Sequence, residues 1–464
     1  MHDSSATCSL QAEHVVPHLR TQLTGALVQA SQAIPAPVPA SSAPHPRGRP
    51  VRLPAAQLWL GLLWCLLEGM NHYEQLRRWL ASHAVGGFAP LLMSSDAIVK
   101  RLLQAGLAPV ETLFTLFEQW LPSLPPTCDL APFASHIVAL DETTLDAVTR
   151  HLSWQRQHPK GSAALLAGKL AGLFDIRHQR WLRLQYFANA VQNCKVGLLT
   201  LLDDRPWHSL LLFDLGYFSF PCFDYLTERG YWWISRLREK TGYQLLHVHY
   251  RHHAILDALV WLGSGHGARA GRAVRLVRFH DGHSLRCYLT NVLDPHQLTM
   301  EQIARLYARR WDIELAFLTL KELLGLHHWW SSQLPLILQQ IALVLLLAHL
   351  WQTLRLQIEA LAGCDPFDVS LPLLVQYVPQ LIRDGHHPID WVLTYGKPLG
   401  FIRPHSRLQV TAPHIPPEQL VLPPASLGLV RKGRYLTYSP RPGRPSYNKK
   451  QKARPSASPS PPPP

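Results

Sequence analysis

No C-x-x-C pair occurs among the seven cysteines, which stand singly at 8, 65, 128, 194, 222, 287 and 364. Their odd number and scattered placing argue against a disulfide framework or a cysteine zinc site, and a reducing, cytoplasmic compartment is expected. The opening residues MHDSSATCSLQAEHVV lack the charged start and apolar centre of a secretory signal. Long hydrophobic runs are also missing: residues 58–67 and 341–350 each give only ten apolar-dominated positions, about half of what spans a bilayer. Both read as buried core helices, and no membrane partner is expected. Acidic residues are scarce, 31 Asp plus Glu against 45 Lys plus Arg, for a formal charge of +14. That surplus favours a polyanionic partner such as nucleic acid, although membranes and acidic proteins also attract basic chains.

What is present divides the 464 residues into several textures, too many for one ordinary domain. Residues 1–52 are polar and then rich in Ala and Pro, a composition that cannot bury enough apolar surface to order itself. Residues 53–130 carry three-to-four apolar spacing and read as a helical N-terminal, DNA-binding region. Within it, Asp96 to Phe117 holds two short helices parted by Ala-Gly-Leu-Ala-Pro, either a helix-turn-helix or an ordinary helical hairpin. Residues 131–242 turn to short strands, HIVAL before Asp141, KLAGLFDI, WLRLQYF, and SLLLF before Asp214, with a helix from Lys195 to Leu202. This alternation predicts a layered α/β domain. Residues 243–288 read as inserted β-hairpins, 289–360 as helices completing the core, 361–410 as weaker helices, and 411–464 as a disordered, basic, Pro-rich tail.

The segment LYARRWDIELAFLTLKELL is the most informative. At about 100° per residue, Tyr307, Arg310, Glu314 and Lys321 share an arc of roughly 60°, bordering a stripe of Leu306, Ile313, Phe317, Leu320 and Leu324. A carboxylate flanked by cations beside a core is a site candidate; a salt-bridged surface face is the plainer alternative. Asp141 and Asp214 each follow an apolar strand-like run, and strand ends are where α/β proteins place ligand groups. With Glu314 they supply the hard oxygen donors that Mg²⁺ or Mn²⁺ requires.

The spacing Tyr307, Arg310, Glu314, Lys321 resembles the Y-x2-R-x3-E-x6-K signature of bacterial insertion-sequence transposases of the IS-four-like group. ALDETT around Asp141, LLLFDLGYF around Asp214 and YLTN at Thr290 and Asn291 are similar to the same family. The resemblance, over about 137–351, implies an RNase H-like mixed sheet with a β-rich insertion and helical regions on either side. It also implies Asp141, Asp214 and Glu314 as the ligands of two Mg²⁺ or Mn²⁺ ions. The implied reaction is cleavage at transposon ends, followed by joining of the 3′-hydroxyl to target DNA. The implied partners are double-stranded DNA at the transposon ends and the target, with a homodimer in the synaptic complex, in a cytoplasmic, nucleoid-associated setting.

In that setting Arg310 would fork onto phosphate oxygens, Lys321 would add a point charge, and Tyr307 would bond a phosphate or water. Trp232, Trp233 and Trp261 are core residues by default, and the sharper reading has one of them stack on a flipped base. Glu142, Asp175, Asp203 and Asp204 are weaker acidic candidates. The histidines of HVHYRHH and LHHWW are read as surface or DNA-facing groups, their spacing being irregular for zinc. Two rivals stay open: an RNase H-like nuclease without strand transfer, and a transposase-derived DNA-binding protein without catalysis.

Overall fold

A computed structural model describes residues 53–431 except 71, 86, 121–125, 128, 146–167, 188, 190–192, 203–207, 264–268, 327, 328, 332 and 406–409. The expected lead at 1–52, Asp203, Asp204, the histidines of LHHWW and the tail beyond 431 lie outside the described residues.

Among the described residues four helices come first: α1 (Ala55–Leu67), α2 (Tyr73–Ser82), α3 (Ser95–Ala105) and α4 (Ala108–Trp120). Helix α3 starts where the Ser94 side chain accepts a hydrogen bond from the Ala97 N–H at 3.2 Å. It stops at Gly106, whose φ of +63° is a conformation that side-chain-bearing residues avoid. Two residues then suffice to start α4. The Leu102 and Gly106 carbonyls at this corner accept from Gln339 Nε2, each at 2.8 Å. The two helices read from the sequence are therefore present, and their corner is fastened to the core.

Among the described residues nine strands form one sheet: β1 (Ile137–Thr144), β2 (Lys169–Asp175), β3 (Arg180–Phe187), β4 (Leu210–Phe213), β5 (Trp232–Arg236), β6 (Tyr243–His252), β7 (Ile255–Leu262), β8 (Val274–His280) and β9 (Leu285–Thr290). Their order is β3-β2-β1-β4-β5-β9-β8-β7-β6. Strand β2 runs antiparallel to both β1 and β3, whereas β4 and β5 run parallel to β1. An order of 3-2-1-4-5 with those directions is the RNase H-like core. The stretch read as inserted hairpins makes β6 to β9, and β9 pairs directly with β5 from Ile234↔Thr290 to Arg236↔Tyr288. It thus widens the core sheet.

Alternating strand residues serve two cores. On one face Val138, Leu140, Leu211 and Phe213 pack with α5 (Cys194–Leu202) and α6 (Phe220–Glu228). On the other, Ile137, Ala139, Leu210 and Leu212 join α1 to α4 and the later helices: α7 (Met300–Arg309), α8 (Asp312–Leu318), α9 (Leu334–Ala362), α10 (Leu371–Arg383) and α11 (Pro388–Tyr395). The apolar stretch 341–350 lies inside α9, which at 29 residues is far longer than that stretch. By length and composition α9 could cross a membrane, but 61% of its most apolar window is buried within the protein. Gln339, Gln340 and Arg355 are buried along it as well.

The tail expected from 411 needs correction over its first part. Val421 N donates to the His249 carbonyl at 2.9 Å, and Ala273 N donates to the Leu429 carbonyl at 2.9 Å. This part is held because its backbone finds partners that composition cannot reveal. The HVHYRHH histidines shift accordingly. His247 and His249 both bond the Val421 carbonyl, at 2.8 and 2.9 Å, and His249 is buried.

Candidate active site

Register brings the first two acids together. Leu140 of β1 lies opposite Phe213 of β4 in parallel pairing, so the next residues, Asp141 and Asp214, leave adjacent strands side by side, about 5 Å apart in backbone spacing. Asp141 does not end its strand, as its apolar run suggested; β1 continues to Thr144 against β2, with Asp141 opposite Gly172. Asp214 does end β4. Its Oδ1 accepts from the Gly216 N–H at 2.8 Å and caps a single tight turn. A Cβ at 216 would stand 2.9 Å from that oxygen, which explains the glycine after the acid.

The third acid arrives on a helix that is less regular than its periodicity implies. The expected single helix is α7, a tight join at Arg310 and Trp311, α8, and a wide π-turn over Thr319–Leu323. At the join the bonds are of the three-residue kind, Arg310 N to Tyr307 O at 3.1 Å and Glu314 N to Trp311 O at 3.0 Å. At the π-turn Leu324 N reaches Thr319 O at 3.0 Å. Overwinding at the first place and underwinding at the second offset one another in phase, so the polar stripe survives.

Arg310 then bridges the cluster. Its Nη2 donates to Glu314 Oε1 at 2.7 Å, and its Nη1 stands 3.5 Å from Asp141 Oδ2. Asp141 also accepts from the Glu142 N–H at 2.8 Å. Even so, burial pushes the Asp141 carboxyl up to about 6, with the neighbouring charges of Asp214 and Glu314 adding to the rise against the pull of Arg310 and the Glu142 amide. Asp214 and Glu314 each keep an oxygen outside these bonds, Asp141 Oδ2 is held only by Arg310 at 3.5 Å, and the donor set is wholly carboxylate, so the residues fit hard divalent ions.

The remaining expected residues fall as follows. Lys321 Nζ reaches Thr143 Oγ1 at 3.3 Å and the Thr144 carbonyl at 3.4 Å, at the end of β1. Tyr307 is buried, its hydroxyl 3.4 Å from the Phe213 carbonyl, so it braces the strand end that carries Asp214. Trp233 is fully buried and stacks on Phe223 at 4.4 Å. Trp232 pairs with Leu210, four residues before Asp214, and packs edge-on to Phe133 at 4.7 Å. Trp261 lies on β7, four strands from β4 in the sheet order, beneath the Arg431 guanidinium at 4.7 Å. All three rings stand away from the acids in core or packing positions. Glu142 faces the other side of the strand, paired with buried Lys169 at 2.6 Å. Asp175 lies at the far end of the sheet, bonded to His136 and His178.

Two residues escaped the sequence reading. Trp311 is 51% exposed, with the Arg310 guanidinium 5.9 Å from its ring; it sat inside the motif, but only the structure shows its exposure. Arg236 ends β5, exposed and in line with Asp214, because Leu212 pairs with Ile234 two residues earlier. No local pattern marks it, since the juxtaposition depends on register between strands.

Residues 132–351 match the family model described as the transposase DDE domain. Among solved structures, the chain is similar to a piggyBac transposase in a synaptic complex with hairpin DNA, seen by cryo-electron microscopy, at 10% identity and a TM-score of 0.41 over 87% of each chain. No curated protein matches the sequence.

Proposed function

We propose that this chain is a DNA transposase that cuts at transposon ends and joins the freed 3′-hydroxyl to target DNA. The observation that carries the reading is the convergence of Asp141, Asp214 and Glu314 on the end of parallel β1 and β4, within the stretch that matches a transposase DDE domain. These three would hold Mg²⁺ or Mn²⁺. When bound, a pair of such ions supplies activation of the attacking hydroxyl and stabilisation of the leaving oxygen at phosphorus.

The chain's own residues do the rest. Gly216 N–H fixes one Asp214 oxygen and leaves the other for the ligand. Tyr307 steadies the backbone just before Asp214. Arg310, which spans Asp141 and Glu314 here, offsets the acids' repulsion; its planar fork can turn from carboxylate to phosphate, which has matching geometry. Exposed Arg236 and Trp311 offer a cation and a ring to a strand lying across the site. A homodimer pairing two transposon ends, working in the cytoplasm on nucleoid DNA, completes the reading.

The test uses the full chain with DNA carrying the element's ends, with Mg²⁺ or Mn²⁺, then with excess chelator, and separately with pre-cut ends. Cutting that stops on chelation and joining of pre-cut ends are expected. Cutting without joining would leave the nuclease reading, binding without cutting the reading as a DNA-binding protein, and full cutting in excess chelator would sink the carboxylate mechanism.

A further inference from the structure

We propose a second metal site, made by His136, Asp175 and His178, that takes a zinc-like transition ion at the end of the sheet opposite the three acids. His136 Nδ1 is 2.8 Å from Asp175 Oδ2, and His178 Nδ1 is 2.7 Å from the same oxygen. Among the described residues this is the one group of three or more His, Cys, Asp or Glu whose ligand atoms all lie within 4.8 Å of one another. His136 precedes β1, so five residues, or about 16 Å along the strand, separate it from Asp141.

The chemistry of the cluster differs from that of the acids. Two imidazole nitrogens and one carboxylate oxygen suit Zn²⁺, Co²⁺ or Ni²⁺, whereas an all-oxygen set suits Mg²⁺. Three lone-pair atoms aimed at one point repel unless protons or a cation lie between them, and one divalent ion can replace the protons. A tetrahedral ion with bonds of about 2.0 Å would hold its donors about 3.3 Å apart, so the two nitrogen–oxygen separations need open by only about half an ångström.

Surrounding bonds fix the carboxylate in place, as metal sites require. Asp175 Oδ1 accepts the Arg177 N–H at 2.9 Å, which leaves Oδ2 for the ion. Arg177 Nη2 in turn bonds the Leu130 and Ala131 carbonyls at 2.9 and 3.0 Å, and Thr127 Oγ1 donates to the Arg177 carbonyl at 3.0 Å. Asp175 is fully buried, while the His136 and His178 side chains keep 22% and 30% exposure, so an ion can enter from solvent and keep an open fourth position. The ion would staple the start of β1 to the turn between β2 and β3.

The test takes the metal-stripped full chain without DNA and adds Co²⁺ or Zn²⁺. One equivalent of Co²⁺ should bind with the visible absorbance of a tetrahedral site, and Zn²⁺ should raise the melting temperature. The double variant Asp141→Asn, Glu314→Gln should keep both responses, which separates this site from the acids. His136→Gln and His178→Gln, checked by circular dichroism for folding, should each bind Co²⁺ at least about tenfold more weakly and lose the absorbance. No absorbance and no thermal shift in the parent chain would show a purely hydrogen-bonded cluster. Responses unchanged in both histidine variants would place the ion elsewhere; either result overturns the proposal.

Discussion

Toward opposite ends of the β1–β2 pair, half-buried Asp141 and fully buried Asp175 are in opposite condition. At one end, burial and the charges of Asp214 and Glu314 hold Asp141 up to about 6. At the other, burial pushes Asp175 in the same direction, but hydrogen bonds from His136 and His178 outweigh it and bring the carboxyl down to about 2. Burial is opposed in both cases, and the partners set the outcome: at Asp141 the Glu142 amide and Arg310 do not offset it, whereas at Asp175 the two imidazoles do.

The contrast breaks most sharply under substitution. Glu314→Gln, Asp141→Asn and Asp214→Asn should each lower cleavage by at least about 10³-fold while DNA binding survives, and double variants should be little worse than single ones, because the acids act as a unit. Wild-type cutting by Glu314→Gln would reduce the motif to a salt-bridged face. Asp175→Asn should do the reverse. We expect a loss of about 2–3 kcal/mol in a denaturant melt, the scale of a charged hydrogen bond left unmade, with cleavage per folded molecule retained.

Acidity sharpens the same comparison. Asp141 binds its proton more tightly in the folded, metal-free protein than in the unfolded chain. Its contribution to stability is thus full below about pH 4 and is lost as pH rises through about 6, by up to about 3 kcal/mol. Asp175 contributes above about pH 4 and loses its contribution as pH falls through about 2. Urea melts across this range should show the first effect abolished in Asp141→Asn and countered above pH 6 by Mn²⁺; an unchanged profile in that variant would assign it to another group. The smallest effect belongs to Trp311→Ala. Loss of an exposed ring should weaken DNA engagement by up to about tenfold, the scale of one stacked base, with no change in melting temperature. A lowered melting temperature would instead make Trp311 a packing residue.

Legibility tracked how local each feature is. Asp141 and Asp214 could be read because each follows a buried apolar run, and the Tyr307 to Lys321 spacing because one helix carries it. The break at Arg310 and the π-turn were hidden because their windings cancel, leaving the periodicity intact. His136 and Asp175 stand 39 residues apart in the chain and meet only through strand pairing, so no spacing announced them. The same holds for Arg236 beside Asp214. The order at 411–431 was missed because Pro-rich composition says nothing of an open strand edge waiting for partners.

That edge has a bearing on how the protein is made. Strand β6 is the outermost of nine, and an uncovered edge is a template for pairing with another chain. Val421 closes it at His249. Because Val421 is translated some 170 residues after β6, the edge stays open through much of synthesis. Nascent or truncated chains ending between Glu314 and Val421 should therefore be aggregation-prone, although they already contain every acid of the active site.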